Sequence, residues 1–419
     1  MSERSAIDIH TRLRRAKRAL RLALLYTVLS AIGLTMVLPF LWMLSTSLKT
    51  EKAAVEIPPS WVPRDSATYA NYGGREVRVG LLKKTATVRR LDNGQELTVY
   101  QQALSVRKPW FGGAEQTYAS IRQNDATVYV PVTVISTLAR VRVLDEGPEH
   151  EKVVDLPGEA VFERSSVSPQ WSNYPTTWGK LPFGRSYINT SIVTIAVTLG
   201  QVLTCSLAAF AFARLRFPGR DKLFMGYLAT MMIPGAVTLI PVYILFIKMP
   251  ELLNYIFQTD WFSSDLYFLG KYYVGRLVGG NSYFALIAPG LFSAYGTFML
   301  RQFFMGLPRE LEDAARIDGC GNLRIYWHVT MPLSRVAIAT LATFTFMGTW
   351  KAFMWPLLIL NTEELVPLQV LLQRFQGQYG SEHNLLMAGS IIVLLPLLAV
   401  FILGQRYFVK GIQLGGVKG

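Results

Sequence analysis

The residues whose types and spacing are best suited to molecular work form one run, Gly306-Leu307-Pro308-Arg309-Glu310-Leu311-Glu312-Asp313-Ala314-Ala315-Arg316-Ile317-Asp318-Gly319. Pro308 suits the first position of a helix, and Glu310, Glu312 and Asp313 then sit at the positive end of its dipole. Gly319 is a natural stop. Asn322 is placed to cap a second short helix that runs through His328 and ends at Pro332. Leu311, Ala314, Ala315 and Ile317 give this bent element a small, partly apolar surface of the kind that enters a partner's groove. The work it predicts is docking rather than bond making.

Other reactive side chains assemble into nothing comparable. The two cysteines, Cys205 and Cys320, cannot build a disulfide framework, and four histidines leave little for a His-rich centre. No metal and no cofactor is expected. Asp145, Glu146, Glu149 and Glu151 invite a reading as paired catalytic acids, but in a polar run they are more economically a solvated turn. No Gly-x-x-x-x-Gly-Lys-Ser/Thr phosphate loop occurs in the sequence, so the chain is not expected to hydrolyse ATP itself.

The elements that must position the docking run are apolar. Of the 419 residues 51% are hydrophobic and only 17% charged, against about 25% charged in soluble domains. Six segments reach the roughly 20 apolar residues that a membrane helix needs: 22–45, 187–213, 223–247, 283–304, 336–360 and 385–408. Pro39, Pro234, Pro241, Pro289, Pro356 and Pro396 fall within them, which packed bundles tolerate where neighbours satisfy the freed carbonyls. Basic residues gather in alternate connectors. Arg12, Arg14, Arg15, Lys17, Arg18 and Arg21 precede the first span. Arg214, Arg216, Arg220 and Lys222 follow the second; Arg301, at the end of the fourth, is joined by Arg309, Arg316 and Arg324 after it; Arg406, at the end of the last, is joined by Lys410 and Lys418. Connectors 248–282 and 361–384 are poorer in positive charge. The positive-inside rule then puts both termini and the 306–332 loop in the cytoplasm. The net charge of +14 is largely a topology signal, and no nucleic-acid partner is expected.

Residues 46–184 make a large first outside loop of different composition. Segments 85–88 and 97–100 flank Leu91-Asp92-Asn93-Gly94-Gln95, whose Asn-Gly is a hairpin signal. Segments 126–134 and 138–144 also read as strands. The expected organisation is a basic cytoplasmic N-terminus at 1–21, a first transmembrane helix at 22–45, an extracytoplasmic loop with a small β-rich domain at 46–184, and a five-helix core at 185–419. The fold class is an all-α polytopic membrane protein with a β-rich insertion between spans one and two.

The docking run resembles the coupling loop of ATP-binding cassette importer permeases, whose motif is approximately Glu-Ala-Ala, two residues, Asp-Gly, then a distant Leu-Pro. Asp313-Ala314-Ala315, Asp318-Gly319 and Met331-Pro332 match it, with Asp313 in place of Glu and Met331 in place of Leu. The runs Asn189-Thr190-Ser191, Phe212-Ala213-Arg214-Leu215-Arg216-Phe217-Pro218-Gly219 and Gly415-Gly416-Val417-Lys418-Gly419 look like the sugar-importer branch, which includes maltose and glycerol-3-phosphate permeases. The likeness is to the smaller of the two permeases and covers the six-span body, not the insertion.

This resemblance implies the type I importer permease fold and a non-catalytic subunit of the inner membrane. The implied partners are a second permease, two ATP-binding cassette ATPase subunits, an outer substrate-binding protein, membrane lipid and a carbohydrate cargo. ATPase coupling would fall to Glu312, Asp313, Ala314, Ala315, Asp318, Gly319 and Pro332. Tyr295, Trp350, Trp355 and Gln378 are candidate pathway residues, with aromatic packing or interface anchoring the competing role. Lys351 either faces the cavity or snorkels outward; relatives often have Asn-Asp where Lys351-Ala352 stands. Two alternatives stay open: a permease for another small solute, and a membrane enzyme whose outer domain modifies sugars or lipids.

Overall fold

A helix satisfies its own backbone in lipid, and the longest elements follow the apolar runs. The computed structural model describes residues 2–107, 116–123, 126–145, 150–268 and 272–415. They fall into two units: Lys52–Gln170, and Met1–Glu51 with Trp171–Gly419.

In the larger unit α1 (Ser2–Ser47) is followed by the single turn α2 (Glu51–Ala54), and after the insertion come α3 (Asn173–Lys180) and α4 (Phe183–Arg214). Next are α5 (Arg220–Ala229), α6 (Gly235–Phe257), α7 (Tyr283–Ile287) and α8 (Ala294–Met305). The docking run supplies α9 (Glu310–Ile317), α10 (Asn322–Ile325) and α11 (Met331–Leu333). The chain ends with α12 (Arg335–Trp350), α13 (Met354–Ile359), α14 (Leu368–Gln378) and α15 (His383–Gly415). Among the described residues four helices are long and apolar enough to cross a membrane, within α1, α4, α6 and α15. The number rises to six if two bent pairs each count as one crossing: Tyr283–Leu291 with α8, bent by 41°, and Asn322–Leu333 with α12, bent by 80°.

Prolines explain where expected spans and observed helices part. The third expected span, 223–247, is interrupted, because Pro234 lacks an N–H and forces Ile233 into extended backbone. The apolar helix begins only after it, as α6, which carries Pro241 and Pro250 inside. Pro289 lies in the tight turn joining α7 to α8. The fifth expected span stops at Trp350, and Pro356 belongs to the separate short helix α13.

Leu22, Leu25, Leu29 and Phe40 on α1 are exposed, as are Ile188, Ile195 and Leu199 on α4. Apolar surface on this scale marks a membrane or partner face rather than a water-facing one. Inside, three clusters hold the helices together. One joins Cys205 and Phe210 of α4, Leu300 and Phe304 of α8, Ile325, Tyr326 and Leu341 of α12. A second gathers Phe183, Trp350, Leu368, Phe375, Leu385 and Val393. A third packs Val193 and Val197 on Phe246, Leu286, Ile359 and Leu365. Helices in lipid associate through close packing of small residues. At Gly296 an added Cβ would come within 2.9 Å of Leu341 and 3.0 Å of Cys205 Sγ.

The far end of α1 is tied down by polar groups. Buried Asn173 donates through Nδ2 to the Ser47 carbonyl at 2.8 Å and the Lys49 carbonyl at 2.9 Å, and its Oδ1 accepts from Asn384 at 3.3 Å. Thr177 donates to the carbonyls of Asn173 and Leu385. Residues 171–184 thus pack in the helical unit, so the strand-bearing unit is narrower than the 46–184 loop. Asn173→Ala strands two buried carbonyls, and an apparent loss of about 2–6 kcal/mol is expected, at roughly 1–3 per orphaned group. Thermal unfolding of the detergent-solubilised chain checks it; an unchanged midpoint would contradict the tie.

The smaller unit is an antiparallel sheet. Its strands are β1 (Arg64–Tyr72), β2 (Arg75–Arg90), β3 (Glu96–Tyr100), β4 (Leu104–Arg107), β5 (Gln116–Gln123), β6 (Ala126–Val143), β7 (Val153–Pro157) and β8 (Val161–Val167). The order is β4-β5-β6-β2-β1-β8, with β3 also pairing β2 and β7 also pairing β6. The Asn-Gly turn joins β2 to β3 in the register Thr85↔Tyr100 to Arg89↔Glu96, with Gly94 at a φ of 70°. The expected strands 126–134 and 138–144 are one strand, β6, irregular at Ile135, and β2 is irregular at Leu82. Each is an extra residue that bends the ladder without ending it. Alternation buries Ala86, Val88, Val99, Ala119 and Val132 in one cluster and Ala70, Val79, Ala139 and Val141 in another.

The helical unit is not all-α either. β9 (Asp265–Phe268) and β10 (Tyr272–Arg276) form a hairpin between α6 and α7. Tyr267 and Tyr273 pack edge to face at 5.6 Å, and Arg276 pairs Asp265 at 3.0 Å. Cross-strand aromatic and ionic pairs suit an extended ladder, a signal hidden in a short connector.

Candidate functional site

Helix α9 opens with Glu310, Glu312 and Asp313 in its first turn, and its start is closed by the Arg309 carbonyl accepting from the N–H groups of Glu312 and Asp313. Pro308 stands one residue before the N-cap Arg309 rather than inside the helix. The other end explains the Asp-Gly pair. Gly319 has a φ of 78° and donates to the Arg316 carbonyl, while Cys320 donates to the Ala315 carbonyl. This nested pair of bonds is a Schellman cap, which needs a left-handed residue at the glycine. A Cβ on Gly319 would meet nothing within 4 Å, so backbone conformation, not space, calls for glycine there. Ala315 and Cys320, which the cap brings together, both pack on the cluster around Phe304 and Tyr326.

Glu312 faces inward. It is buried, and its Oε1 lies 2.8 Å from Nε of Arg214, the last residue of α4. The two side chains are only 9% and 3% exposed, respectively. Arg214 also donates through Nη2 to the carbonyls of Phe304 at 2.6 Å and Leu307 at 2.9 Å. One guanidinium therefore joins the ends of α4 and α8 to α9. A buried ion pair needs its remaining donors satisfied; the two carbonyls take the Nη2 hydrogens, whereas Nε, close to Glu312, makes an ion pair without an aligned hydrogen bond. Arg301 adds a second tie, with its guanidinium carbon 4.1 Å from the Phe224 ring centre and a bond to the Phe212 carbonyl.

The second arm departs from expectation. Gly321, not Asn322, is its N-cap residue, and α10 runs through a widened π turn at residues 326–330 into α11. Pro332 lies within the arm, which breaks at Ser334. Proline has no N–H for the carbonyl of His328, and a widened turn just before it is the local response. The arm is held by Tyr326, whose hydroxyl is 2.7 Å from the Ser206 hydroxyl and whose ring meets Phe210 edge to face at 5.5 Å.

With Glu312 and Ala315 turned inward, Asp313, Ala314, Asp318, Gly319 and Pro332 are exposed. Beside them Leu311, Ile317, Leu323 and Trp327 present apolar surface, Ile317 at 88% exposure. Leu323 and Trp327 were not among the residues singled out from sequence, and Arg214 was read there only as a connector charge and as part of the Phe212–Gly219 run. Period alone could have suggested the first two; nothing local marks Arg214 as the partner of Glu312.

The pathway candidates divide. Trp350 is buried, donates to the Val393 carbonyl at 3.0 Å and packs on Tyr187 and Phe346. Trp355 donates to the Ala285 carbonyl at 2.9 Å and meets Phe246. Both indoles are engaged in packing, whereas Tyr295, Lys351 and Gln378 are exposed. Cys205 is buried and donates to the Ser293 carbonyl. Among the described residues no group of three or more His, Cys, Asp or Glu side chains could hold a metal ion. Asp145 accepts from the Arg78 N–H at 2.9 Å, as a turn residue does. Glu146, Glu149 and residues 416–419 of the C-terminal run lie outside the described residues, as do the side chains of Arg12, Arg14, Arg15, Arg406 and Lys410.

Residues 202–414 match the family model described as "Binding-protein-dependent transport system inner membrane component". The arabinooligosaccharides transport system permease protein AraQ of Halalkalibacterium halodurans is 32% identical over 231 residues, 55% of this chain and 73% of that protein. The sn-glycerol-3-phosphate transport system permease protein UgpE of Yersinia enterocolitica is 32% identical over 250 residues, 58% of this chain and 79% of that one. A solved bacterial ABC transporter involved in the import of the acidic polysaccharide alginate has a chain that aligns with a TM-score of 0.47 and 22% identity, covering 58% of this chain and 81% of its own.

Proposed function

This chain belongs to the family of binding-protein-dependent transport system inner membrane components, and from that premise we propose that it is one of two permease subunits lining a carbohydrate pathway, driven by two cytoplasmic ATPase subunits and fed by an outer substrate-binding protein. A carbohydrate cargo is supported by the names of the relatives, which carry arabino-oligosaccharides and glycerol 3-phosphate. In this reading the membrane is crossed six times, with Tyr283–Leu291 and α8 making one crossing and α12 another; both termini face the cytoplasm and residues 46–184 lie outside.

The observation that carries the reading is the contrast within the 306–332 element. Its exposed side offers Leu311, Ala314, Ile317 and Leu323, and its buried side is fixed through Glu312, Ala315 and Tyr326 to α4, α8 and α12. A knob that enters an ATPase cleft must be apolar where it docks and rigid where it joins the spans, since a loose knob transmits no displacement. Closure of the ATPases on ATP would draw two such knobs together and tilt the spans attached to them, opening the cavity toward the loaded binding protein. Hydrolysis and product release would return it inward. The coupling works because the knob's contacts differ between the two states.

The test is a single reactive cysteine at Ile317, with Cys205 and Cys320 replaced by serine or alanine. A membrane-impermeant maleimide should label it in inside-out vesicles and not in right-side-out ones, and ATPase subunits should protect it. Labelling from the outer face, or no protection by bound ATPase, overturns the coupling role.

A further inference from the structure

Beside α9 the structure holds a recess of about 540 Å³ whose walls include Arg214, Arg216, Arg220, Arg309 and Arg316, with Glu312 and Asp313 the acids. A second recess of about 550 Å³ runs from Arg216 and Phe217 past Gly219 to Arg220, Asp221 and Lys222. The two share Arg216, Phe217 and Arg220, so they adjoin around the end of α4 and are together called the basic groove. Its acids are largely spent: Glu312 on Arg214, and Asp221 on Arg220 at 3.0 Å. Arg216, Lys222, Arg309 and Arg316 have no acidic partner among the described residues, and the one remaining acid on the recess walls is Asp313. Guanidinium groups converging on a recess are the chemistry that holds a phosphate.

We propose that this groove binds the headgroup of an anionic phospholipid of the cytoplasmic leaflet. The inference rests on the reading that the 306–332 side is cytoplasmic, where the positive charge of the connectors accumulates. It goes beyond that reading by assigning a ligand to Arg216, Arg309 and Arg316, none of which is among the coupling residues read from the motif. A lipid is favoured over free phosphate because α5 continues from Lys222 into exposed Leu223 and Met225, and the outer flank of α4 exposes Leu203 and Leu207. Phosphate is thus met by arginine and the acyl chains by leucine and methionine. Basic pockets between membrane helices on this side are suited to such headgroups. An occupied groove would also brace the joint between α4 and α9, because Arg214 and Glu312 form one wall of it.

The test compares the assembled transporter with a variant carrying Arg216→Gln, Arg309→Gln and Arg316→Gln, both purified from membranes of phosphatidylethanolamine and phosphatidylglycerol. Retained lipid is measured by native mass spectrometry after controlled delipidation. The original protein should retain phosphatidylglycerol above its share of the membrane, and the variant should lose that enrichment by roughly tenfold or more, given the contribution of each basic side chain. Equal enrichment in both overturns the proposal. So does complete displacement of the lipid by millimolar inorganic phosphate, which makes the ligand a free anion. Enrichment that vanishes whenever the ATPase is bound also overturns it, because the arginines then serve an acidic partner surface. Lipid retention is read in detergent and does not depend on sidedness, so its failure is separable from failure of the Ile317 labelling.

Discussion

Arg214→Met is expected to destabilise the helical unit by about 3–5 kcal/mol, the usual cost of removing one member of a buried ion pair. The substitution keeps much of the side chain's length and bulk. It leaves the Glu312 carboxylate, buried in the native fold, with no counter-charge, and it removes the donor that serves the Phe304 and Leu307 carbonyls. Thermal unfolding of the purified protein measures the loss. Glu312→Leu combined with Arg214→Met should recover a large part of it, because apolar pairs of similar volume often replace a buried ion pair without net cost. If the double variant is as unstable as the single one, packing rather than charge compensation is responsible. A single variant that unfolds at the original temperature would mean that the pair is not buried in the membrane-embedded protein. Transport gives a second readout: a stable double variant whose ATPase activity no longer responds to loaded binding protein would locate the pair in the coupling path as well as in the fold.

Gly319→Val should reduce uptake by at least about tenfold, equivalent to roughly 1.4 kcal/mol, while changing accumulation of the protein little. A left-handed backbone costs ordinary L-residues about 1–2 kcal/mol, and β-branched residues are still less suited to it. The strain falls on the cap that ends α9, so the bonds from Gly319 and Cys320 to Arg316 and Ala315 are the ones that loosen. Open space around Gly319 rules out a clash as the cause. Asn visits the left-handed region more readily than other non-glycine residues, so Gly319→Asn should retain much more uptake than Gly319→Val. Equal uptake by all three proteins would remove the cap from the coupling mechanism.

The stop of α9 at Gly319 and its acidic first turn were legible because their signals are local, whereas its start fell two residues after Pro308 and the second arm is capped by Gly321 rather than Asn322. Three acids in a first turn and a glycine two residues beyond the last apolar helix position act through the backbone of their own segment. The Asn93-Gly94 hairpin was legible for the same reason. The breaks at Pro234 and after Trp350 were harder, because an apolar run and a proline are compatible both with one kinked span and with two helices, and packing chooses between them. The β9–β10 hairpin was missed because its tyrosines and its Asp265–Arg276 pair gain meaning only when the strands face each other.

Glu312 shows the limit most clearly. Next to Asp313 it reads as one more surface acid of a solvated helix, and its burial depends on Arg214, almost a hundred positions earlier. Trp350 and Trp355 make the same point in the opposite sense: aromatic residues in a proline-rich span look available to a cargo, and their indole N–H groups instead close on the carbonyls of Val393 and Ala285.

The sequence by itself determined that the chain has apolar runs long enough for a membrane, which connectors carry the positive charge, that a β-rich insertion follows the first of them and where the docking helix stops. All of these follow from hydrophobic content and backbone preference, which each segment carries alone. Only the tertiary structure decided which acid turns inward, which tryptophans are spent on packing and that the unspent arginines converge on one groove. Those outcomes depend on pairing between residues far apart in the chain, and such pairing has no energy until the helices are brought together.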